Sequence, residues 1–351
     1  MNILQLLQLV IDRNASDLHL VTGFRPQLRV YSELVPIEGT AVLAPGDVDN
    51  LFVPILTPQQ RKIFDQEMEL DLGYEFDGKA RFRINLYRQK GHSAAALRLI
   101  PMRIRSLVET GLPESVGRLT DMKQGLVLVT GPTGHGKSTT LAAMINQINL
   151  TRACHILTVE DPIEYVYPPG RALISQRELN FDTKSWGNSL KYALREDPDV
   201  VLIGEMRDLE TISAAMTIAE TGHLVLATLH TNSAAQTVDR VIDVFPENQQ
   251  PQIRAQFASV IEAIISLRLI PTINPGRCIA SEILYGVPAL RSLIRDGKTH
   301  LIDNLIQTSG EFGMHSLETS LADLVKSGRV DATVARNYSL RPAVLAKLLG
   351  G

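Results

Sequence analysis

GLVLVTGPTGHGKSTTLAAMINQI, residues 125–148, holds three patterns one after another. Residues 125–130 form a short apolar run, as in a strand buried on both faces. Residues 131–138 have the spacing G-x-x-x-x-G-K-S, and a helical stretch follows from Ser138. Strand, glycine-rich loop and helix in this order are the setting in which that spacing cradles phosphates. The loop residues Gly131, Pro132, Thr133, Gly134, His135 and Gly136, with Lys137, Ser138 and Thr139 opening the helix, are therefore expected to hold a nucleoside triphosphate. Backbone N–H groups would surround the α- and β-phosphates. Lys137 would reach the β- and γ-phosphates, and the Ser138 hydroxyl would bind Mg²⁺. His135 stands between two of the glycines. Its side chain either points outward or touches the nucleotide or the N-terminal domain when the site closes, adding a charge that titrates near neutral pH.

Downstream, further apolar runs alternate with helical stretches: HILTV, DVVLI, LVLATL and CIASEILY. That alternation predicts a parallel sheet covered on both faces, so residues 125–286 are expected to form an α/β core. Residues 287–351 read as a helical tail. Upstream, residues 1–100 read as an α+β domain: an amphipathic helix, strands SDLHLV and QLRVYSELVPI, a helix near 58–66, and strands ARFRINLYRQ and SAAALRLI. In ARFRINLYRQ, Phe82, Ile84 and Leu86 share one face and Arg81, Arg83 and Asn85 the other. Residues 101–124, with Pro101, Gly111 and Pro113, read as a connecting stretch.

Splitting a triphosphate also needs groups that orient water and meet the charge on the γ-phosphoryl group. Three segments are expected at the sheet edge where open α/β sheets bind ligands. LTVEDPIEY supplies Glu160, Asp161 and Glu164; DVVLIGEMRD supplies Glu205; GHLVLATLHTNSA brackets a strand with His223 and His230. Gly204 stands where an aspartate usually ends the metal-side strand, so Glu205 is expected to serve the metal through a water. Glu164 is then the better candidate for polarising the attacking water, although the division between the two carboxylates stays open.

The bulk numbers are compatible with this. With 351 residues the chain has room for two or three cores, and its net charge of −3 does not point to nucleic acid as the partner. Cys154 and Cys278 are the only cysteines, so a four-thiolate zinc site is excluded. No apolar run reaches membrane-spanning length, and the N-terminal residues have no basic region or cleavage site of a secretory leader, so a cytoplasmic protein is expected.

Taken together, GPTGHGKSTT, EDPIEY, DPDVVLIGEMRD and TGHLVLATLHTNSA resemble the secretion-ATPase superfamily. ALRSLIRDGK in the tail resembles the AIRNLIRE motif of its type IV pilus retraction branch, and SDLHL, RFRIN and FGMHSLETSL are similar to that branch as well. The likeness runs over nearly the whole chain. It implies a PAS-like N-terminal domain, a RecA-like ATPase domain and a homohexameric ring, with Mg²⁺ as cofactor and ATP as substrate. By the same likeness Arg81, Arg83 and Arg98 complete the site, Glu164 is the general base, Glu205 is the Walker B glutamate, and His230 lies nearer the phosphates than His223. The implied work is pilus retraction, hence twitching motility, at the cytoplasmic face of the inner membrane. The implied partners are a PilC-like platform protein and an accessory retraction ATPase. His135 replaces a usual serine, and Leu267 a usual glutamine. A pilus-assembly or secretion motor of the same superfamily, or a weakly hydrolysing regulatory ring subunit, are the alternatives. The missing zinc cysteines weigh against the first, and the retained Glu164, Glu205 and His230 against the second.

Overall fold

The computed structural model describes residues 1–30, 33–100 and 103–350 and divides into two units. The first comprises Met1–Arg103 and Pro162–Val166; the second comprises Ile104–Asp161 and Tyr167–Gly351. The chain therefore passes between the units three times.

In the first unit, α1 (Ile3–Asp12) starts at a capping box: the Asn2 side chain accepts from the Gln5 amide while the Gln5 side chain accepts from the Asn2 amide. Its buried face is Ile3, Leu6, Leu7 and Val10. There follow β1 (Asp17–Val21), β2 (Gln27–Val30), β3 (Glu33–Pro36), α2 (Asp47–Phe52), α3 (Pro58–Glu67), β4 (Glu69–Phe76), β5 (Ala80–Gln89) and β6 (His92–Ile100). The strands form one antiparallel sheet in the order β3-β2-β1-β6-β5-β4. Phe82, Ile84 and Leu86 of β5 are buried and Arg81, Arg83 and Asn85 are half-buried, as the alternation predicts. QLRVYSELVPI makes two paired strands, β2 and β3, rather than one. Its Tyr31 and Ser32 lie outside the described residues, as do Pro101 and Met102 of the expected connecting stretch.

The second unit begins with α4 (Leu107–Thr110) and a 3-10 turn (Glu114–Asp121); Leu112 between the two, and Val116 and Leu119 of the turn, are buried in its core. Then come β7 (Gly125–Thr130), α5 (Lys137–Thr151), β8 (His155–Glu160), β9 (Leu173–Glu178), α6 (Trp186–Ala193), β10 (Val200–Ile203), α7 (Leu209–Glu220) and β11 (Leu224–Leu229). After these lie α8 (Ala234–Asp243), α9 (Gln250–Val260), β12 (Ile261–Pro271) and β13 (Arg277–Tyr285). The sheet order is β13-β12-β7-β11-β10-β8-β9. From β12 to β9 every pairing is parallel, but β13 runs antiparallel to β12. The expected all-parallel sheet is corrected at this edge: residues 272–276 are too few for a parallel crossover and suffice only for a hairpin.

The central strands are apolar on both sides because each side has its own core. Leu126 and Leu128 of β7 join one cluster while Val127 and Val129 join the other, and β10 and β11 alternate in the same way. The tail is α10 (Pro288–Arg295), α11 (Ile302–Thr308), α12 (Leu317–Lys326), α13 (Ala332–Tyr338) and α14 (Pro342–Leu348). Arg291, inside the tail motif, faces inward: it donates to the carbonyls of Gly286, Ala258 and Ser259 and pairs with Glu262 at 2.8 Å. Arg341 meets three carboxylates: Glu282 at 3.1 Å, Glu318 at 3.1 Å and Asp303 at 2.6 Å. No helix among the described residues is long and apolar enough to cross a membrane.

Candidate nucleotide-binding site

The loop after β7 lies at the C-terminal edge of the parallel strands, with β11 and β12 as neighbours. Its first residue must be glycine on two counts. Gly131 has φ of 137°, and a Cβ there would stand 2.5 Å from the Leu267 carbonyl oxygen. Gly131→Ala is expected to displace the loop and weaken nucleotide binding roughly tenfold or more, given strain of about 1–3 kcal/mol. Titration with a fluorescent ADP checks this; a wild-type affinity would refute it. At the other end Gly136, in the left-handed region, is the N-cap of α5 and offers no side-chain cap to the first turn. A helix start of this kind, with its first N–H groups outside the helix ladder, suits an anion.

Lys137 is buried and bent back over its own loop, donating to Gly131 O at 2.8 Å and Pro132 O at 3.1 Å. Its Nζ also stands 3.5 Å from Nδ1 of His230, which lies just past β11. An ammonium has no acceptor, so Nδ1 accepts and Nε2 carries the ring proton. Nε2 faces Glu205 Oε1 at 3.2 Å. Thr133 Oγ1, on the loop, is 3.4 Å from the same Nδ1. A line of contacts thus runs from Lys137 through His230 to Glu205, across the ends of β7, β11 and β10. Arg207 closes the far end of the line, with Nε at 2.6 Å and Nη2 at 2.7 Å from the two Glu205 oxygens. Burial pushes the Glu205 pKa up, but the Arg207 hydrogen bond and the neighbouring His230 and Arg207 outweigh it, so the carboxyl sits below its ordinary 4.5 and is ionised at neutral pH.

Sequence reasoning missed Arg207, whose signal was its place two residues after Glu205. The glycine in place of the usual aspartate has a steric reason. A Cβ at Gly204 would be 3.2 Å from Val159 O and 3.3 Å from Glu160 Cα, tighter than an ordinary contact.

The expected site residues do not all gather at this edge. His223 precedes β11, so the strand separates it from His230 by roughly 20 Å at 3.3 Å per residue. Its Nδ1 is 3.0 Å from Ile218 O at the end of α7, and its backbone carbonyl accepts from Gly125 at 3.0 Å. His230, the histidine expected nearer the phosphates, stands beside Lys137, and His223 lies at the opposite end of β11. Glu160 ends β8 with its carboxylate bonded to Thr158 and Gln176. Glu164 belongs to the first unit, where its Oε1 is 3.8 Å from Arg83 Nη1. Arg81 Nε donates to Ile163 O at 2.8 Å, and Arg98 Nε pairs with Asp17 at 2.8 Å. Arg83 and Arg98 stand opposite one another on β5 and β6.

Residues 66–307 match the family of type II/IV secretion system proteins. The chain belongs to that family. This family member is 45% identical to the type IV pilus retraction ATPase PilT of Pseudomonas aeruginosa over 342 residues, 97% of this chain and 99% of that protein. It is 46% identical to a twitching motility protein of Neisseria gonorrhoeae over 312 residues, 89% of this chain and 83% of that one. Its fold is similar to the crystal structure of the pilus retraction motor PilT with bound ADP, with a TM-score of 0.92, 41% identity and 99% of both chains covered.

Proposed function

We propose that this family member is a Mg²⁺-dependent ATPase that drives type IV pilus retraction and so twitching motility. It would work as a homohexamer on a PilC-like platform protein at the cytoplasmic face of the inner membrane. The first unit is then PAS-like and the second RecA-like. The observation that carries the ATPase reading is the line Lys137–His230–Glu205, which sets a phosphate-seeking ammonium, an imidazole and a carboxylate within 3.5 Å of one another in turn. Retraction is supported by the near full-length identity to a pilus retraction ATPase.

In this reading Lys137 leaves the Gly131 and Pro132 carbonyls for the β- and γ-phosphates of ATP. His230 then keeps its Nε2–H bond to Glu205 and so holds that carboxylate beside the phosphate site. Glu205 is fixed by Arg207, and Glu164 takes the proton of the attacking water. Arg81, Arg83 and Arg98 are proposed, from the family likeness, to reach the γ-phosphoryl group when the ring closes. The donor set suits Mg²⁺: Ser138 is exposed at the first turn of α5, and Glu205 offers ionised oxygen. Once bound with ATP, the ion would offset charge on the β- and γ-phosphates.

Two measurements test the proposal. Purified chain should release phosphate from ATP in the presence of Mg²⁺; no release would end the ATPase reading. Deleting the gene should leave cells with excess surface pili and no twitching, whereas bald cells would turn the assignment toward pilus assembly.

A further inference from the structure

β7 leaves the sheet at Thr130, which is paired with Ser266, while β12 continues to Pro271. Leu267 turns its carbonyl toward Gly131, and the two-residue period of a strand puts Leu269 on the same edge. The Leu269 amide therefore points to where β7 no longer runs, and a partly buried amide needs an acceptor. His135 supplies it: Nδ1 accepts from Leu269 N–H at 2.9 Å. The neighbouring β12 residue holds the other loop of the site. Arg268 Nη2 donates to Asn232 Oδ1 at 2.9 Å, two residues past His230. Successive residues of one strand thus brace the loop that bears Lys137 and the loop that bears His230.

We propose that His135 is a positioning residue for nucleotide binding: it latches the loop to β12 through Leu269, so that the phosphate cradle is formed before the nucleotide arrives. The inference rests on the nucleotide-binding reading of the loop. Nδ1 accepts only when it carries no proton, so the latched ring is neutral with its hydrogen on Nε2. Burial holds the pKa of the ring below its ordinary 6.5, and the charged groups around it, Arg268, Lys137 and Arg277, are all cations that act the same way. The latch therefore stays closed at neutral pH, and the ring does not bring a titrating charge to the site. A serine at this position would carry its oxygen one bond closer to the backbone and fall short of Leu269. Asparagine places Oδ1 where Nδ1 now stands.

The test compares wild-type, His135→Ala and His135→Asn full-length chains by ATP turnover and by titration with fluorescent ADP. His135→Ala should raise the KM for ATP and the Kd for ADP together by about five- to tenfold with kcat within about twofold, and His135→Asn should restore both constants to within about twofold of wild type. A purely structural role would lower the active fraction, hence apparent kcat, and leave KM in place. The latch is refuted if His135→Ala matches wild type in both constants, or if His135→Asn is no better than His135→Ala. Should His135→Ala fail to fold, His135→Ser replaces it with the same expected direction. A wild-type chain that binds ADP without splitting ATP would count against the ATPase reading alone, and the ADP titration would still judge the latch.

Discussion

Glu205→Gln should cut phosphate release from ATP by about a hundredfold or more while leaving ADP affinity nearly unchanged. The substitution keeps the shape of the side chain and removes its charge. The groups that hold the nucleotide, Lys137 and the glycine loop, are themselves left unaltered. Its oxygens instead meet His230 at 3.2 Å and Arg207 at 2.6 and 2.7 Å. The glutamine can accept on one side only, and the ionised oxygen that faces the imidazole proton is lost. Lys137→Ala is the contrasting variant, in which ADP affinity should fall as well. A Glu205→Gln chain that turned over ATP at the wild-type rate would remove this carboxylate from the reaction.

The second large effect lies in the tail. Arg341→Met should destabilise the second unit by about 3–5 kcal/mol, because removing one partner leaves buried charge uncompensated. Glu318 is fully buried and Glu282 is 1% exposed. Glu318 also accepts from the amides of Leu340 and Arg341, and Glu282 from the amide of Ala234 at the start of α8. Asp303, on the surface side, is a close ion pair to Nη1 and has water to fall back on. Burial already raises the Glu282 pKa above its ordinary 4.5, against the lowering effect of the Ala234 amide and Arg341. For an acid whose folded pKa is raised, the folded state holds the extra proton, so stability falls as pH rises from 4.5 through the folded value. Loss of Arg341 lifts that value further. The difference in melting temperature between wild type and Arg341→Met should therefore be roughly 10 °C at neutral pH and shrink as the pH is lowered toward 4.5. Thermal melts at a series of pH values check both size and sign. A gap that widened on acidification would overturn the assignment of buried charge as the cause.

The loop, α5 and the central strands were legible because their signals are local: apolar runs, glycine spacing and a helical stretch within residues 125–148. The face of β5 was legible for the same reason, since period two is written in neighbouring residues. The strands that escaped notice lack such a signal. β9, LISQRE, is a largely polar edge strand with apolar residues only at its start. β12 carries Glu262 and Arg268 within an apolar run that could equally belong to a buried helix. His223 precedes the run LVLATL and His230 follows it, so the rule that ligands sit at the carboxyl ends of parallel strands separates the two in sequence already. The partners of Arg341 lie 23 and 59 residues away for Glu318 and Glu282, distances over which no periodicity operates. His135 was visible as an oddity, but its acceptor role depends on where β7 stops and β12 goes on.

The return of residues 162–166 to the first unit means that residue 103 is not a seam. A fragment ending there keeps all six strands of its sheet but has neither the carbonyl that receives Arg81 nor the carboxylate beside Arg83. A fragment beginning at Ile104 carries both on five residues whose packing surface has been cut away. Activity lost on truncation at that point would thus report a divided unit, and would say little about what the missing half does by itself.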